Sequence, residues 1–161
     1  MRRLVTCLFL LAAMPAHARD NLGVYGKWAA FRDPNIPRCY AVAMAEPSQK
    51  QRDFQPYAAI GTWPKKNERG QVHLRLSRNL AAGSRITLSV GGQQFALAGG
   101  GGDAWAVDRR MDAAIVAAMR SAREMVVNAR DASGKGFSNT YQLEGAATAM
   151  DAAQIGCAAV R

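Results

Sequence analysis

Between residues 72 and 77 apolar and polar side chains alternate without a break: Val72, Leu74 and Leu76 against His73, Arg75 and Ser77. A period of two predicts a strand with one buried face. The same pattern predicts strands elsewhere. Gly26 to Phe31 starts the series, with Trp28 as a core anchor. Arg38 to Ala45 alternates around Tyr40, Val42 and Met44, and Tyr57 to Trp63 stops at Pro64. Arg85 to Val90 turns at Gly91-Gly92 into a hairpin partner, Gln93 to Leu97. Residues 19–26 read as a polar lead-in and Asp33 to Pro37 as a turn, because two prolines do not fit inside a paired strand. Glu46 to Gln55 reads as polar loop and Lys65 to Gly70 as a charged hairpin loop. The run Gly99 to Gly102 has neither the following helix nor the lysine of a phosphate-binding loop, so it reads as a flexible connection between strands.

After Asp108 the period changes. Met111, Ile115, Ala118, Met119 and Ala122 recur at helical spacing, which predicts an amphipathic helix of about 14 residues capped by Asp108. Met125 to Arg130 and Phe137 to Leu143 return to strand character, and Gly145 to Cys157 is a second, alanine-rich helix. About eight short strands, with turns roughly every 8–12 residues, favour a mainly β fold. The expected architecture is an antiparallel β-sandwich or barrel-like domain with one or two packed α-helices.

The first eighteen residues follow a different logic. Arg2 and Arg3 precede an apolar run from Leu4 to Met14, Pro15 breaks it, and Ala16-His17-Ala18 offers small residues for cleavage before Arg19. The run is about half the length a membrane-spanning helix needs, so it reads as a secretory signal peptide. Neither a twin-arginine signal nor a lipoprotein signal fits: the residues after Arg3 are wrong for the first, and Cys7 stands too early for the second. The expected organisation is a signal peptide at 1–18 and a single β-rich domain at 19–161, in the periplasm or secreted. No later stretch is apolar enough to span a membrane.

Two cysteines follow the leader, Cys39 and Cys157. Thiols in an oxidising compartment usually pair, and this pair would close a loop of more than about a hundred residues. The alternative is two buried free thiols. Clustered metal-ligand spacing is absent, so neither a metal site nor another cofactor is expected.

The whole chain carries a formal charge of +9, and the leader contributes two of its arginines and no acid. Lys65, Lys66 and Arg69 cluster in one loop, Arg75, Arg78 and Arg85 are placed on outward strand faces, and Arg109 and Arg110 open the first helix. The first six are candidate anion-binding residues. Outside the cytoplasm their partner would be an envelope polyanion, a lipid head group or a host-surface molecule. Nucleic-acid binding is not expected, because Trp28, Trp63 and Trp105 lie in apolar strands and read as core residues. Catalytic chemistry is poorly served. His73 is the one histidine after the leader and faces outward, and no Gly-x-Ser-x-Gly elbow occurs. The acids sit mainly in loops, caps and helix surfaces, with Asp108 and Asp112 read as a cap and a surface charge.

A set of short motifs carries a resemblance. Tyr25-Gly26-Lys27-Trp28, Cys39, and Gly92-Gln93-Gln94-Phe95-Ala96-Leu97 come in order. After them come Ala104-Trp105-Ala106-Val107-Asp108 and Ile115-Val116-Ala117-Ala118-Met119-Arg120, then Tyr141-Gln142-Leu143-Glu144-Gly145 and the terminal helix ending at Cys157. Over most of residues 23–158 the chain resembles the invasion-associated locus B family of exported proteobacterial proteins. The resemblance implies an exported protein of mostly β structure. The family's named member is linked to bacterial invasion of host red cells, and no catalytic residues are established for the family. The chain departs from several members in one respect: they carry a cysteine just after the first tryptophan strand, where Phe31, Arg32 and Asp33 stand here.

The expected function is therefore that of an exported, non-enzymatic envelope protein with an anionic envelope or host-surface partner. Two rivals make different demands. An extracytoplasmic hydrolase needs two converging carboxylates or an acid beside His73. A periplasmic chaperone or assembly factor needs an open strand edge.

Overall fold

The computed structural model describes residues 19–33, 35–50 and 52–158; the leader read at 1–18 lies outside the described residues. Ten strands run in chain order: β1 Asp20–Tyr25, β2 Trp28–Asp33, β3 Arg38–Met44, β4 Tyr57–Trp63, β5 Glu68–Arg75, β6 Ile86–Val90, β7 Gln93–Gly100, β8 Asp103–Trp105, β9 Glu124–Arg130 and β10 Gly136–Gln142. The helices are α1 Arg109–Met119 and α2 Ala146–Ala158. Every strand pair is antiparallel, and all ten join one sheet in the order β1-β2-β3-β4-β5-β8-β7-β6-β9-β10. The fold is mainly β with two packed helices, and the sheet is not closed into a barrel.

The two ends of the sheet nevertheless meet. Along β10 and just beyond it, the Thr140 carbonyl accepts from Glu46 N at 2.8 Å, Gln142 from the Trp28 indole at 2.9 Å, and Glu144 from Lys27 N at 3.1 Å. The junction requires glycine. Gly145 adopts φ +83°, and a Cβ there would overlap the Tyr25 carbonyl oxygen.

Burial follows the strand period. Val72, Leu74 and Leu76 point inward, as do Ile86, Leu88 and Val90, as their alternation predicts. On β3 the buried set is Cys39, Ala41 and Ala43, rather than Tyr40, Val42 and Met44. The cause is α2, which lies against β1 to β4 through Ala146, Ala149, Met150, Ala153 and Cys157. Over β3 a helix seated this closely leaves room for small side chains, so the bulkier residues of that strand face away. Cys39 and Cys157 form a disulfide with Cα atoms 5.7 Å apart, fastening the end of α2 to β3.

Three further expectations need correction. Residues 20–25 form a paired edge strand rather than a lead-in; its register shifts between Asn21 and Gly23, which blurs the alternation. Gly99 and Gly100 are strand residues of β7 paired with Ala104 and Asp103, so only Gly101-Gly102 turn. Asp112 is not a surface charge. It is buried in the first turn of α1 and accepts the Val72 backbone N–H at 2.7 Å. Asp108 caps the helix as expected, accepting from Met111 N at 2.8 Å.

Removing the disulfide with Cys39→Ser and Cys157→Ser should lower the unfolding free energy by about 5 kcal/mol, the loop-closure value for a separation of 118 residues. Urea denaturation measures the loss, and hydrogen exchange should find α2 exposed first. Burial raises the Asp112 carboxyl above the ordinary carboxylate range, with Glu68 and Asp108 adding to the rise and the Val72 N–H opposing it. A raised native pKa means that ionisation favours the unfolded chain. This group's contribution is therefore fully present below the ordinary carboxylate pKa and is lost as pH rises through the raised native value. Asp112→Asn keeps the acceptor for Val72 and should abolish that slope in denaturation curves taken across the acid range. Asp112→Ala leaves the N–H unpaired and should lose about 1–3 kcal/mol.

Candidate functional site

With α2 on the inner side, the other face of β2 to β5 and β8 carries the large side chains, and among the described residues no helix covers it. The register sets them in rows. Phe31 pairs with Tyr40, Tyr40 with Gly61, and Gly61 with Gln71. In the next row Val42 pairs with Ala59, Ala59 with His73, and His73 with Trp105. Met44, Tyr57, Arg75 and Asp103 form the third row. Residues two apart on a strand share a face, which places Trp63 beside Gly61. A Cβ on Gly61 would stand 2.5 Å from the Trp63 ring, so the missing side chain is what lets the indole lie down on the sheet.

The rings contact one another. Phe31 and Tyr40 are 5.6 Å apart, His73 stacks on Trp105 at 5.3 Å and 19°, and Tyr57 meets His73 edge-on at 5.6 Å. The Arg38 guanidinium lies 4.8 Å from the Tyr40 centroid. Between these groups runs a shallow groove of about 490 Å³, floored by Val42, Ala59 and Gly61. Trp105 is 38% exposed and Met44 51%.

Trp63 and Trp105, expected in the core from their apolar strands, lie on the outer face instead. Trp28 alone of the three is a core residue, fully buried with its N–H bonded. Parity groups Trp63 with Tyr57, Ala59 and Gly61, opposite to Ala58 and Ile60, but parity by itself does not choose which set faces the core.

His73 does face outward, but it is not simply solvated. Its Nε2 lies 2.9 Å from Asp103 Oδ1, and Arg75 donates to the other carboxylate oxygen. Arg75 also lies 3.8 Å over the Phe54 ring. An acid beside His73 is one of the arrangements a hydrolase would need. Yet among the described residues no serine, threonine, cysteine, aspartate or glutamate lines the aromatic groove. The Asp103 carboxylate is already shared between His73 and Arg75. Among the described residues no group of His, Cys, Asp and Glu could hold a metal ion.

The six basic residues singled out from the sequence fall into separate surroundings. Lys65 and Lys66 sit exposed on the turn between β4 and β5. Arg69 lines a groove beside Val116, Arg120 and Met150, on the helix side of the sheet. Arg75 belongs to the Asp103 cluster. Arg78 follows β5 in a loop, with guanidinium nitrogens 3.5 Å from Asp53 and 3.3 Å from Asp131. The Ser133 hydroxyl, with the backbone N–H groups of Lys135 and Ser133 and the charge of Arg78, holds the Asp131 carboxyl below its ordinary range. Arg85 lies across the sheet near Arg130 and Lys50.

The sequence model of the family described as Invasion associated locus B (IalB) protein matches residues 29–154. That span holds every strand of the aromatic face except the first residue of β2. No curated protein and no solved structure matches the chain.

Proposed function

The chain belongs to the invasion associated locus B family, and from that premise we propose that it is an exported, non-enzymatic binding protein. It acts in the periplasm or outside the cell and docks a protein partner, on the envelope or a host surface, through its aromatic sheet face. The partner is apolar at the centre of contact and carries carboxylates at the rim. The uncovered aromatic face carries this reading. Trp, Tyr, Phe, Met and Arg are the residues that protein interfaces favour, and Lys and Glu are depleted from them. This face holds Phe31, Tyr40, Met44, Tyr57, Trp63 and Trp105, and its lining includes no Lys and no Glu.

The rim supplies the charge preference. Arg19 and Arg38 both approach Asp33, at 3.9 and 3.8 Å, so two cations share one carboxylate there. A partner carboxylate would complete the balance and speed encounter with a basic protein. Beside the rings His73 and Arg75 are both bonded to Asp103, so this trio is engaged internally and ring burial is the larger offer to a partner. Export is supported by the leader pattern at 1–18 and by a disulfide of the kind that persists in oxidising compartments. For the non-enzymatic role, the groove lining among the described residues holds no serine, threonine or cysteine, and the carboxylate beside His73 is already bonded to Arg75.

N-terminal sequencing of the exported product should begin at Arg19; a cytosolic product retaining Met1 would defeat the export reading. For docking, a photo-crosslinking residue at Val42 should yield one discrete protein adduct in cells, while the same residue at Ser89 should not. The purified partner should bind the chain, and Trp63→Ala with Trp105→Ala should weaken binding by about tenfold or more without changing the denaturation midpoint. An adduct with a second copy of the chain, with lipid or with glycan alone would overturn the assignment of a protein partner.

A further inference from the structure

The far half of the sheet presents the opposite chemistry on its outer side. Thr87 of β6 pairs with Asn128 of β9, and Asn128 with Ser138 of β10, giving a row of neutral polar side chains. Arg85 stands two residues before Thr87 and Arg130 two after Asn128, so both share that row's face. With Lys50 from the loop between β3 and β4, they line a groove of about 480 Å³ whose lining contains no carboxylate. The groove is shallow and open to solvent.

Of the three cations, Arg130 is anchored. Arg130 donates from its guanidinium to the Gly134 carbonyl at 2.9 Å, and its backbone N–H to Ser84 Oγ at 3.0 Å. Among the described residues, Lys50, Arg85 and Arg130 form no ion pair. Their surroundings contrast with the neighbouring groove, where Arg78 meets Asp53 and Asp131. Three like charges facing one groove without a counter-ion make a site of positive potential that an anion relieves.

We propose that this groove binds a phosphate monoester carried on a hydroxyl-rich sugar. Two guanidinium forks match phosphate oxygens geometrically, and the lysine adds a point charge. Thr87, Asn128 and Ser138 supply donors and acceptors in a row beside the cations, where sugar hydroxyls would lie. A free phosphate would use the cations and leave that row idle. The site is distinct from the aromatic face and stands or falls independently of it.

The test is an NMR titration of the exported, disulfide-bonded protein with glucose 1-phosphate. Saturable shifts are expected at the amides of Thr87, Asn128 and Ser138. Arg85→Gln with Arg130→Gln should weaken binding by about tenfold or more. Lys65→Gln with Lys66→Gln removes the same charge elsewhere and should leave affinity unchanged. Glucose alone should give no shift, and inorganic phosphate should bind more weakly than the sugar phosphate. Phosphatidylcholine vesicles containing phosphatidylglycerol should not displace it. The proposal is overturned by any of four results: no saturable shift, equal affinity for inorganic phosphate, equal losses in the two double variants, or displacement by the anionic vesicles.

Discussion

The close seating of α2 on β1 to β4 is the constraint from which most of this molecule follows. Ala30, Ala41, Ala43 and Ala58 on the strands meet Ala146, Ala149 and Ala153 on the helix, all nearly or fully buried. Alanine brings little apolar area per residue, but it lets backbone approach backbone and forms dense contact. A strand that spends its inward positions on alanine has its larger residues on the other side, because successive side chains alternate. The aromatic face is thus the complement of the helix seat. The Cys39–Cys157 bond holds the arrangement at the end of α2.

The closing contact between the sheet's ends has consequences for strand edges. An unpaired edge invites another chain to add a strand. Here the outward carbonyls of Thr140 and Gln142 and that of Glu144 already accept hydrogen bonds from Glu46, Trp28 and Lys27. A partner adding itself along β10 would have to displace those bonds, including one to a fully buried tryptophan. The uncovered aromatic face demands no such exchange, which is the physical reason to prefer docking on a face to pairing at this edge.

Charge is divided in the same way as shape. Arg75 and Arg78 are absorbed by internal carboxylates, and Arg109 by Glu68. Part of the excess that makes the chain basic stands at the rim of the aromatic face, on the turn holding Lys65 and Lys66, and in the polar groove of Arg85 and Arg130. Those places lie on different parts of one continuous sheet, whose two halves present apolar and polar outer surfaces. The strand residues themselves draw the boundary, with Tyr40, Tyr57 and Trp105 on one side and Thr87, Asn128 and Ser138 on the other.

Local pattern was enough to reveal the class of fold, most strand positions, the Asp108 cap and both helices. Each of these depends on neighbours a few residues away: alternation at Val72 to Leu76, a helical period after Asp108, and glycine pairs at turns. The two cysteines also pointed to a bond, though not to its alternative's exclusion. Tertiary structure alone decided which side of β3 is the inside, since both sets, Cys39-Ala41-Ala43 and Tyr40-Val42-Met44, are apolar and the position of α2 breaks the tie. For the same reason Trp63 and Trp105 could not be told from core residues without knowing where the helices lie. The pairing of His73 with Asp103, thirty residues apart, and the meeting of Arg85 with Arg130 across β6 and β9 arise from strand order. Strand order depends on contacts between distant segments, and no short-range period encodes them.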